Sequence, residues 1–317
     1  MKEGTLMKKV LFIVNPASAG GRTLKRWDEA LKYLNDADFE YEVKFTESQG
    51  CAKEFAYSSC IENYSTVVSM GGDGTANEVI NGLMTAKLDG FETPNFTIFP
   101  SGTGSDSVRT LGIPKDIEGF FRLVLANDSK KIDIGIADFK IANSDEIGLR
   151  YFLNACDVGI GATVANTVNS MNKDSEQQTG KAKYFRAILD QVFKFKPFSA
   201  TVQTGAETYE LDKTVIIAIC NGMFFGGGVK ISPISKMDDG TIELFATKKV
   251  SIPALLNLVS KVYTGSHVGH PKVKFHRNNE FLVKTEKPQL LETDGEICGL
   301  VTEVKFSIIP DTLDVLY

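Results

Sequence analysis

Long apolar runs are absent from this 317-residue sequence: none approaches the roughly 20 residues needed to cross a bilayer, and no transmembrane segment is expected. The stretch Met1 to Lys9 also lacks the apolar core of a signal peptide, which makes the cytoplasm the expected location. Cysteines number five, without a C-x-x-C pair, and this favours reduced thiols over a disulfide framework or a zinc knuckle. A net charge of −5 gives no bulk attraction to nucleic acid, so no nucleic-acid partner is expected.

The composition is that of a folded globular protein. Apolar residues make up 43% of the chain and charged residues 24%, which excludes wholesale disorder. The length exceeds the size at which a single hydrophobic core usually splits, and this predicts two domains.

A glycine-rich turn lies between a predicted strand and a predicted helix at residues 66–82. The β-branched run Thr66 to Met70 leads into Gly71-Gly72-Asp73-Gly74, and helical spacing of apolar residues follows. Glycines let the backbone approach a ligand closely, and the free N–H groups of a helix start bind anions such as phosphate. Asp73 beside phosphate implies a bridging divalent cation, typically magnesium. An ordinary turn is the alternative at this point.

Three further strands are predicted in the first half of the chain, and each ends in small or polar residues. The strands are Lys8 to Val14, Tyr41 to Phe45 and Asn95 to Pro100. The first leads into residues 15–22, Thr46 closes the second, and residues 101–106 follow the third. Right-handed crossovers would place all these turns at the carboxyl edge of one parallel sheet, where ligands bind. Plain strand-to-helix connections remain the alternative.

The second half reads as a mostly-β domain. Short strand-like runs are predicted at 151–155, 198–203, 215–220, 241–246, 281–284 and 301–308, with helices at 181–193 and 252–263 and a polar loop at 172–180. We therefore predict an α/β domain at 1–137 and a β-sandwich domain at 138–317, with a C-terminal tail that could return to the first domain.

The motifs, taken in order, resemble those of the diacylglycerol kinase catalytic-domain family, related to sphingosine kinases. They are Asn15-Pro16, Gly71-Gly72-Asp73-Gly74-Thr75 with Asn77-Glu78, Pro100-Ser101-Gly102-Thr103 with Asp106, and Asp294-Gly295-Glu296. The resemblance implies that residues 1–137 form an NAD-kinase/phosphofructokinase-like parallel α/β nucleotide-binding domain and residues 138–317 a mostly-β sandwich lipid-substrate domain. It also implies an active site in the cleft between them. Ser105 departs from the family's usual asparagine, and Gly20-Gly21-Arg22 departs in the first loop.

The resemblance also implies roles for individual residues. Those that would line the nucleotide phosphates are Asn15, Pro16, Ala17, Ser18, Ala19, Thr46, Gly72, Asp73, Gly74, Thr75, Ala76, Asn77, Glu78 and Thr103. Those implied to be catalytic are Glu296 as general base, Asp73 and Asp106 at the active-site magnesium, Arg109 beside them, Asp133 as a cleft aspartate and Lys181 as a basic residue from the second domain. A structural magnesium is implied at Lys236, Asp239 and Thr241.

The activity implied is transfer of the γ-phosphate of Mg-ATP to a lipid hydroxyl, with diacylglycerol, giving phosphatidic acid, as the expected acceptor. ATP and Mg²⁺ are the expected cofactors, and the lipid substrate would be met by a cytoplasmic protein transiently peripheral to the membrane. A homodimer is left open. The alternatives are an NAD-kinase-like or other small-molecule kinase, and a non-catalytic nucleotide-binding regulator. Asp294-Gly295 and Asp239-Gly240 are also good hairpin-turn sequences in their own right.

Overall fold

The computed structural model describes residues 9–34, 39–101, 105–174, 190–191 and 193–317. The chain divides into two compact units. Unit 1 comprises Met1–Asp133 together with Asp311–Tyr317, and unit 2 comprises Ile134–Pro310. Within the described ranges, no helix combines the length and apolar character that crossing a membrane requires.

Unit 1 is a parallel sheet with helical connections. Its elements are β1 (Lys9–Val14), α1 (Arg22–Leu34), β2 (Glu40–Phe45), α2 (Cys51–Ile61), β3 (Thr66–Gly71), α3 (Asp73–Leu88), β4 (Asn95–Pro100), α4 (Asp106–Leu111) and α5 (Ile117–Ala126). The strands lie in the order β2-β1-β3-β4, and each neighbouring pair is parallel. Since β1 and β3 are buried along almost their whole length, both faces of the sheet are covered, as their continuous apolar runs predict.

Unit 2 is built mainly from antiparallel strands. The elements of its part of the chain are β5 (Ser129–Ile141), β6 (Ile147–Phe152), β7 (Ala155–Gly159), α6 (Ile160–Asp174), β8 (Phe198–Gln203), β9 (Thr208–Cys220), β10 (Ile242–Lys248), α7 (Ile252–Thr264), β11 (Val273–Asn278), β12 (Glu280–Thr293) and β13 (Glu296–Leu316). The strand order is β11-β10-β9-β7-β12-β13, and β8 pairs with both β9 and β12. Residues Asp311–Tyr317, which include the end of β13, belong to unit 1, where Val315 pairs with Phe96 of β4.

Two expectations about unit 2 need correction. The strand predicted at 151–155 is interrupted at Leu153 and Asn154, because the N–H groups there bond to the carboxylate of Asp294. Helix α6 was not predicted, since its sequence is rich in small and polar residues with weak apolar periodicity. Of the predicted loop at 172–180, residues 172–174 belong to α6 and the rest lies outside the described residues, as does most of the predicted helix at 181–193.

Candidate active site

The turns after β1, β3 and β4 are joined by hydrogen bonds at the carboxyl edge of the unit 1 sheet. The N–H of Asn15 donates to the carbonyl of Met70 at 2.9 Å, and the hydroxyl of Ser101 donates to the carbonyl of Gly71 at 2.9 Å. Thr46, at the end of β2, donates its N–H to Val14 at 2.9 Å. Sequence reasoning predicted that these turns meet at one edge, and the parallel register brings them together there.

Asn15 shapes the first turn. Its side-chain oxygen accepts from the N–H of Ala17 at 3.1 Å, which is an Asx-type turn, and its side-chain amide donates to Thr75 Oγ1 at 3.0 Å. The chain then passes through left-handed residues at Ala19 and Gly20, with φ values of 54° and 65°. Arg22 donates from Nε to the carbonyl of Ala19 at 2.8 Å, which ties the start of α1 to this loop.

The second turn requires glycine at position 71, because the space beside its Cα is filled by Thr75. A Cβ at Gly71 would lie 2.3 Å from Thr75 Oγ1, so no larger residue fits where β3 meets α3. Gly72 is extended, with φ −90° and ψ −176°, and it precedes the first helical residue, Asp73. The first N–H groups of this 16-residue helix therefore face the same edge as the other turns, an arrangement that favours anions.

Asp73 links this helix start to the turn after β4. Its Oδ2 accepts from the N–H of Asp106 at 3.3 Å, and its Oδ1 accepts from the N–H and hydroxyl of Ser107 at 3.4 and 3.3 Å. The carboxylate thus satisfies the first N–H groups of α4, where Ser105, with φ 39°, offers no side-chain cap. A link between Asp73 and Ser107 gave no signal in the sequence, because it joins residues 34 apart.

Asp106 lies beside Asp73 and is paired with Arg109. Its Oδ1 is 2.9 Å from Arg109 Nη1, and Asp106 is 5% exposed. Carboxylates are the hard oxygen ligands that magnesium prefers, and Arg109 partly offsets the negative charge of Asp73 and Asp106. The donor set at Asp73 and Asp106 therefore fits a magnesium ion.

Glu78, expected among the phosphate-lining residues, contacts the start of α2. Its Oε1 accepts from the N–H of Gly50 at 3.0 Å, and its Oε2 accepts from the N–H of Ala52 at 3.2 Å. These bonds satisfy helix-start donors that would otherwise lack partners. Its contact with a nucleotide stays a prediction.

Asp133 is almost fully buried in unit 1. Its Oδ1 accepts from the N–H of Asp311 at 2.9 Å, at the point where the chain re-enters unit 1. The family resemblance implied that Asp133 is a catalytic aspartate, and the same carboxylate forms this hydrogen bond with Asp311. A catalytic role stays a prediction.

In unit 2, Asp294-Gly295 forms a tight turn between β12 and β13. Both residues have positive φ, 47° and 90°, as a type I′ turn requires. The carboxylate of Asp294 accepts from the N–H groups of Leu153, Asn154 and Ala155 at 2.7, 2.9 and 3.0 Å. Glu296 is the first residue of β13, so this anchored turn sets its position.

The turn predicted to hold a structural magnesium has other contacts. Asp239 Oδ1 accepts from the N–H and hydroxyl of Thr241 at 3.1 and 2.6 Å, and its Oδ2 is 3.7 Å from Arg277 Nη1. Across the described part of the chain, no group of three or more His, Cys, Asp or Glu residues could hold a metal ion. Backbone carbonyls from Lys236 and Thr241 would have to complete this site, and it stays a prediction.

Two predicted site residues, Thr103 and Lys181, lie outside the described residues. The predicted residues Asn15, Thr46, Gly72, Asp73 and Asp106 fall at the carboxyl edge of the unit 1 sheet, whereas Glu296, Lys236, Asp239 and Thr241 belong to unit 2. The sequence did not predict the bonds from Ser107 to Asp73. Nor did it predict the three backbone N–H bonds to the Asp294 carboxylate, which we call the clamp on Asp294.

Comparison with known proteins places this fold and these turns in a family. The Diacylglycerol kinase catalytic domain model matches residues 9–137, and the YegS C-terminal NAD kinase beta sandwich-like domain model matches residues 154–317. The chain therefore belongs to the diacylglycerol kinase catalytic-domain family. The predicted family and the predicted mixed fold class are both confirmed.

Individual relatives cover nearly the whole chain. A diacylglycerol kinase from Staphylococcus aureus (strain bovine RF122 / ET3-1) is 28% identical over 93% of this chain and 88% of its own length. A putative diacylglycerol kinase structure from Bacillus anthracis is 25% identical, with a TM-score of 0.75 over 99% of this chain and 98% of its own. Yeast NADH kinase, at 11% identity and a TM-score of 0.52 over 98% and 83% of the two chains, shares the fold. Membership of this family supports a nucleotide-using kinase.

Proposed function

We propose that the protein is an ATP-dependent lipid kinase, which transfers the γ-phosphoryl group of Mg-ATP to a lipid hydroxyl. Diacylglycerol is the proposed acceptor and phosphatidic acid the product, and the enzyme meets its lipid transiently at the cytoplasmic face of the membrane. The observation that carries the proposal is the hydrogen-bonded junction of three strand-end turns around the start of α3 and Asp73.

The turns of unit 1 supply what phosphoryl transfer needs from a protein. This reaction requires positioning and charge stabilisation more than covalent participation. The amides after Asn15 and at the start of α3 would bind phosphate oxygens, and Asp73 with Asp106 would hold magnesium. When bound, magnesium neutralises charge on the phosphates.

Glu296 is the proposed general base. It would take the proton from the lipid hydroxyl as the hydroxyl oxygen bonds to the γ-phosphorus and the bond to ADP breaks. The tight turn before it and the triple clamp on Asp294 restrict the backbone that carries this carboxylate. A positioned base of this kind typically contributes about 10²- to 10⁴-fold to the rate.

Labelled ATP identifies the acceptor. We would incubate the protein with Mg²⁺ and γ-labelled ATP in the presence of vesicles containing diacylglycerol, phosphatidylglycerol or a sphingoid base, and separately with NAD and sugars. Label in the organic phase with diacylglycerol is the expected result. Label in NAD or a sugar would identify a small-molecule kinase, and ATP binding without transfer would identify a regulator.

Replacing the proposed base separates catalysis from binding. We expect Glu296→Gln to lower turnover at least about a hundredfold, because the amide cannot accept the hydroxyl proton, while ATP binding persists. Calorimetric binding and initial rates measure the two effects. Glu303→Gln is the matched control, since Glu303 lies exposed on the same strand, 2.9 Å from Lys284 Nζ. Equal turnover in the two variants would remove Glu296 from the mechanism.

A further inference from the structure

Two acidic residues face each other in the interior of unit 2. Asp157 of β7 and Glu292 of β12 are direct partners in the antiparallel register, and both have no exposed surface. Side chains that are opposed in this way have Cβ atoms about 4.5 to 5.5 Å apart. Glu292 lies two residues before Asp294 on β12, and Asp157 is paired opposite Glu292 on β7. The protonation state of the two acids therefore bears on the Asp294-Gly295-Glu296 turn.

Each of the two carboxyl groups has one bonded and one unbonded oxygen. Glu292 Oε2 accepts from the N–H of Gly295 at 2.6 Å, and Asp157 Oδ2 accepts from the N–H of Ala162 near the start of α6. Asp157 Oδ1 and Glu292 Oε1 are buried without a hydrogen-bond partner among the described residues. The helix start comes this close because residue 161 is glycine: a Cβ there would lie 2.5 Å from Asp157 Oδ2.

One proton resolves both unbonded oxygens. Ionised carboxylates only accept hydrogen bonds, and two buried carboxylates at this separation cannot both remain ionised. A proton on Glu292 would turn its Oε1 into a donor on the residue that faces Asp157 across the two strands, while Oε2 would still accept from the N–H of Gly295. Burial, with repulsion from Asp157, raises the pKa of Glu292 well above its usual range, and burial raises the pKa of Asp157 to about 8.

Among the residues that the structure describes, no ionisable group near the pair supplies a positive charge to either carboxylate. Asp294 and Glu296 add negative charge near Glu292, and the nearby thiols are Cys156, Cys220 and Cys298. The guanidinium of Arg150 lowers the pKa of the Cys298 thiol, although burial, the larger effect, raises it to about 11. Helix α6, which packs on β7 and β12, carries no ionisable side chain from Ile160 to Ser170.

We propose that Glu292, kept protonated against Asp157, is a positioning residue for the turn that carries Glu296. The inference rests on the proposed function, in which Glu296 is the general base. The turn is held on three sides: by the clamp on Asp294, by Asn169 Nδ2 donating to the carbonyl of Gly295 at 3.2 Å, and by Glu292 accepting from the N–H of Gly295. Loss of the proton at alkaline pH leaves two adjacent negative charges that repel each other. This repulsion weakens the hydrogen bond from the N–H of Gly295 to Glu292.

The experiment compares the parent with Glu292→Gln, Glu292→Ala and the surface control Glu303→Gln from pH 6 to 10. Turnover gives one readout. The other is the hydrogen-exchange protection factor of the segment 292–298, which corrects for the intrinsic pH dependence of exchange and needs no substrate. Glutamine mimics the protonated acid, because its amide can donate to Asp157 while its oxygen accepts from Gly295, but it cannot lose that proton.

The parent and Glu303→Gln should lose turnover and protection together at alkaline pH, whereas Glu292→Gln should keep both to higher pH. Glu292→Ala should lower kcat about 10- to 100-fold at neutral pH with the KM for ATP little changed, the scale of a misplaced catalytic group. An alkaline loss in Glu292→Gln equal to that of the parent would overturn the proposal. If Glu292→Ala does not fold, the glutamine profile decides alone. If Glu296→Gln keeps full activity, the proposed base fails, and the exchange data still decide whether Glu292 holds the turn.

Discussion

Asp73 has two separable tasks: its oxygens accept hydrogen bonds from α4, and its charge would hold magnesium. Asparagine keeps an accepting oxygen but not the charge. We expect Asp73→Asn to keep its thermal midpoint within a few degrees and to lose about 10²- to 10³-fold in turnover, as removal of one electrostatic group does elsewhere.

The control for this variant is Asp89→Asn, at the other end of α3, where Asp89 accepts from the Tyr57 hydroxyl at 2.9 Å. Thermal scans and initial rates over a Mg²⁺ titration make the comparison. Equal rates in the two variants would exclude Asp73 from the chemistry. A collapse of the Asp73→Asn midpoint would show that the carboxylate stabilises the fold, and the loss of turnover could then not be assigned to the metal.

The buried pair Asp157 and Glu292 also predicts how stability depends on pH. Burial raises the pKa of Asp157 to about 8, whereas an unfolded aspartate titrates near 4. Between those values the folded state holds more protons than the unfolded chain, so rising pH lowers the free energy of unfolding. Across the window the loss should be on the order of a few kcal/mol.

Urea unfolding of the parent and of Asp157→Asn at pH 5 and pH 8 measures this effect. Asparagine carries no charge at this position, so the variant never holds two negative charges in the pair, and its stability should fall less between the two pH values. An equal change in the unfolding free energy of the parent and of the variant between pH 5 and pH 8 would contradict the assignment of raised pKa values to the pair.

Helix α2 depends on an acid from a different helix. Glu78 accepts from the N–H groups of Gly50 and Ala52, so Glu78→Ala should lower the free energy of unfolding by about 0.5 to 2 kcal/mol, as loss of a helix cap does. Glu54→Ala, an exposed acid in the first turn of the same helix, should cost less. Denaturant titration gives both values.

A further variant, Glu78→Gln, tests the nucleotide role implied for Glu78. A capping role alone leaves the KM for ATP of Glu78→Gln near that of the parent. A change of several fold in KM without loss of stability would show that this carboxylate acts on the nucleotide as well.

Prediction from sequence succeeded where local pattern decides the structure. The apolar runs of β1, β3 and β4 are bounded by glycine, proline and asparagine, and their bounds were predicted within one residue. Helix α6 was missed because its large apolar residues, Ile160, Val164, Val168 and Met171, are few among glycine, threonine and asparagine. The break at Leu153 and Asn154 was missed because its cause, Asp294, is about 140 residues away.

The candidate site shows the same division. Glycine turns and their acids could be recognised as motifs, because each motif is contiguous. The buried pair could not: Glu292 follows two leucines and Asp157 is flanked by Cys156 and Val158, and only the register of β7 and β12 places the two acids together. Contacts of this kind depend on tertiary structure, which local periodicity does not encode.

Unit 1 is completed by the end of the chain. The N–H of Asp311 bonds to Asp133 Oδ1 at 2.9 Å, Lys87 Nζ donates to the carbonyl of Thr312 at 2.6 Å, and Leu313, Val315 and Leu316 are fully buried. We expect Asp133→Ala to lower the free energy of unfolding by about 1 to 3 kcal/mol, because it removes the hydrogen bond between a buried carboxylate and the N–H of Asp311. Exchange protection of residues 311–317 should fall with it.

Asp314→Asn is the control for that variant, since Asp314 forms a surface pair with Lys131 at 3.0 Å and such pairs contribute about 0 to 1 kcal/mol. Asp133→Asn tests the catalytic role implied for this residue. Large loss of turnover with normal exchange protection of 311–317 would favour catalysis, and normal turnover with reduced protection would leave Asp133 with a structural role only.

The account depends on the turns of unit 1 binding the phosphates of a magnesium-bound nucleotide. A crystal structure of the protein with Mg²⁺ and a non-hydrolysable ATP analogue tests this. We expect the phosphates to lie against the Asn15 to Ala19 loop and the start of α3, with the metal at Asp73 and Asp106. A nucleotide bound elsewhere, with those turns contacting only solvent, would contradict the account.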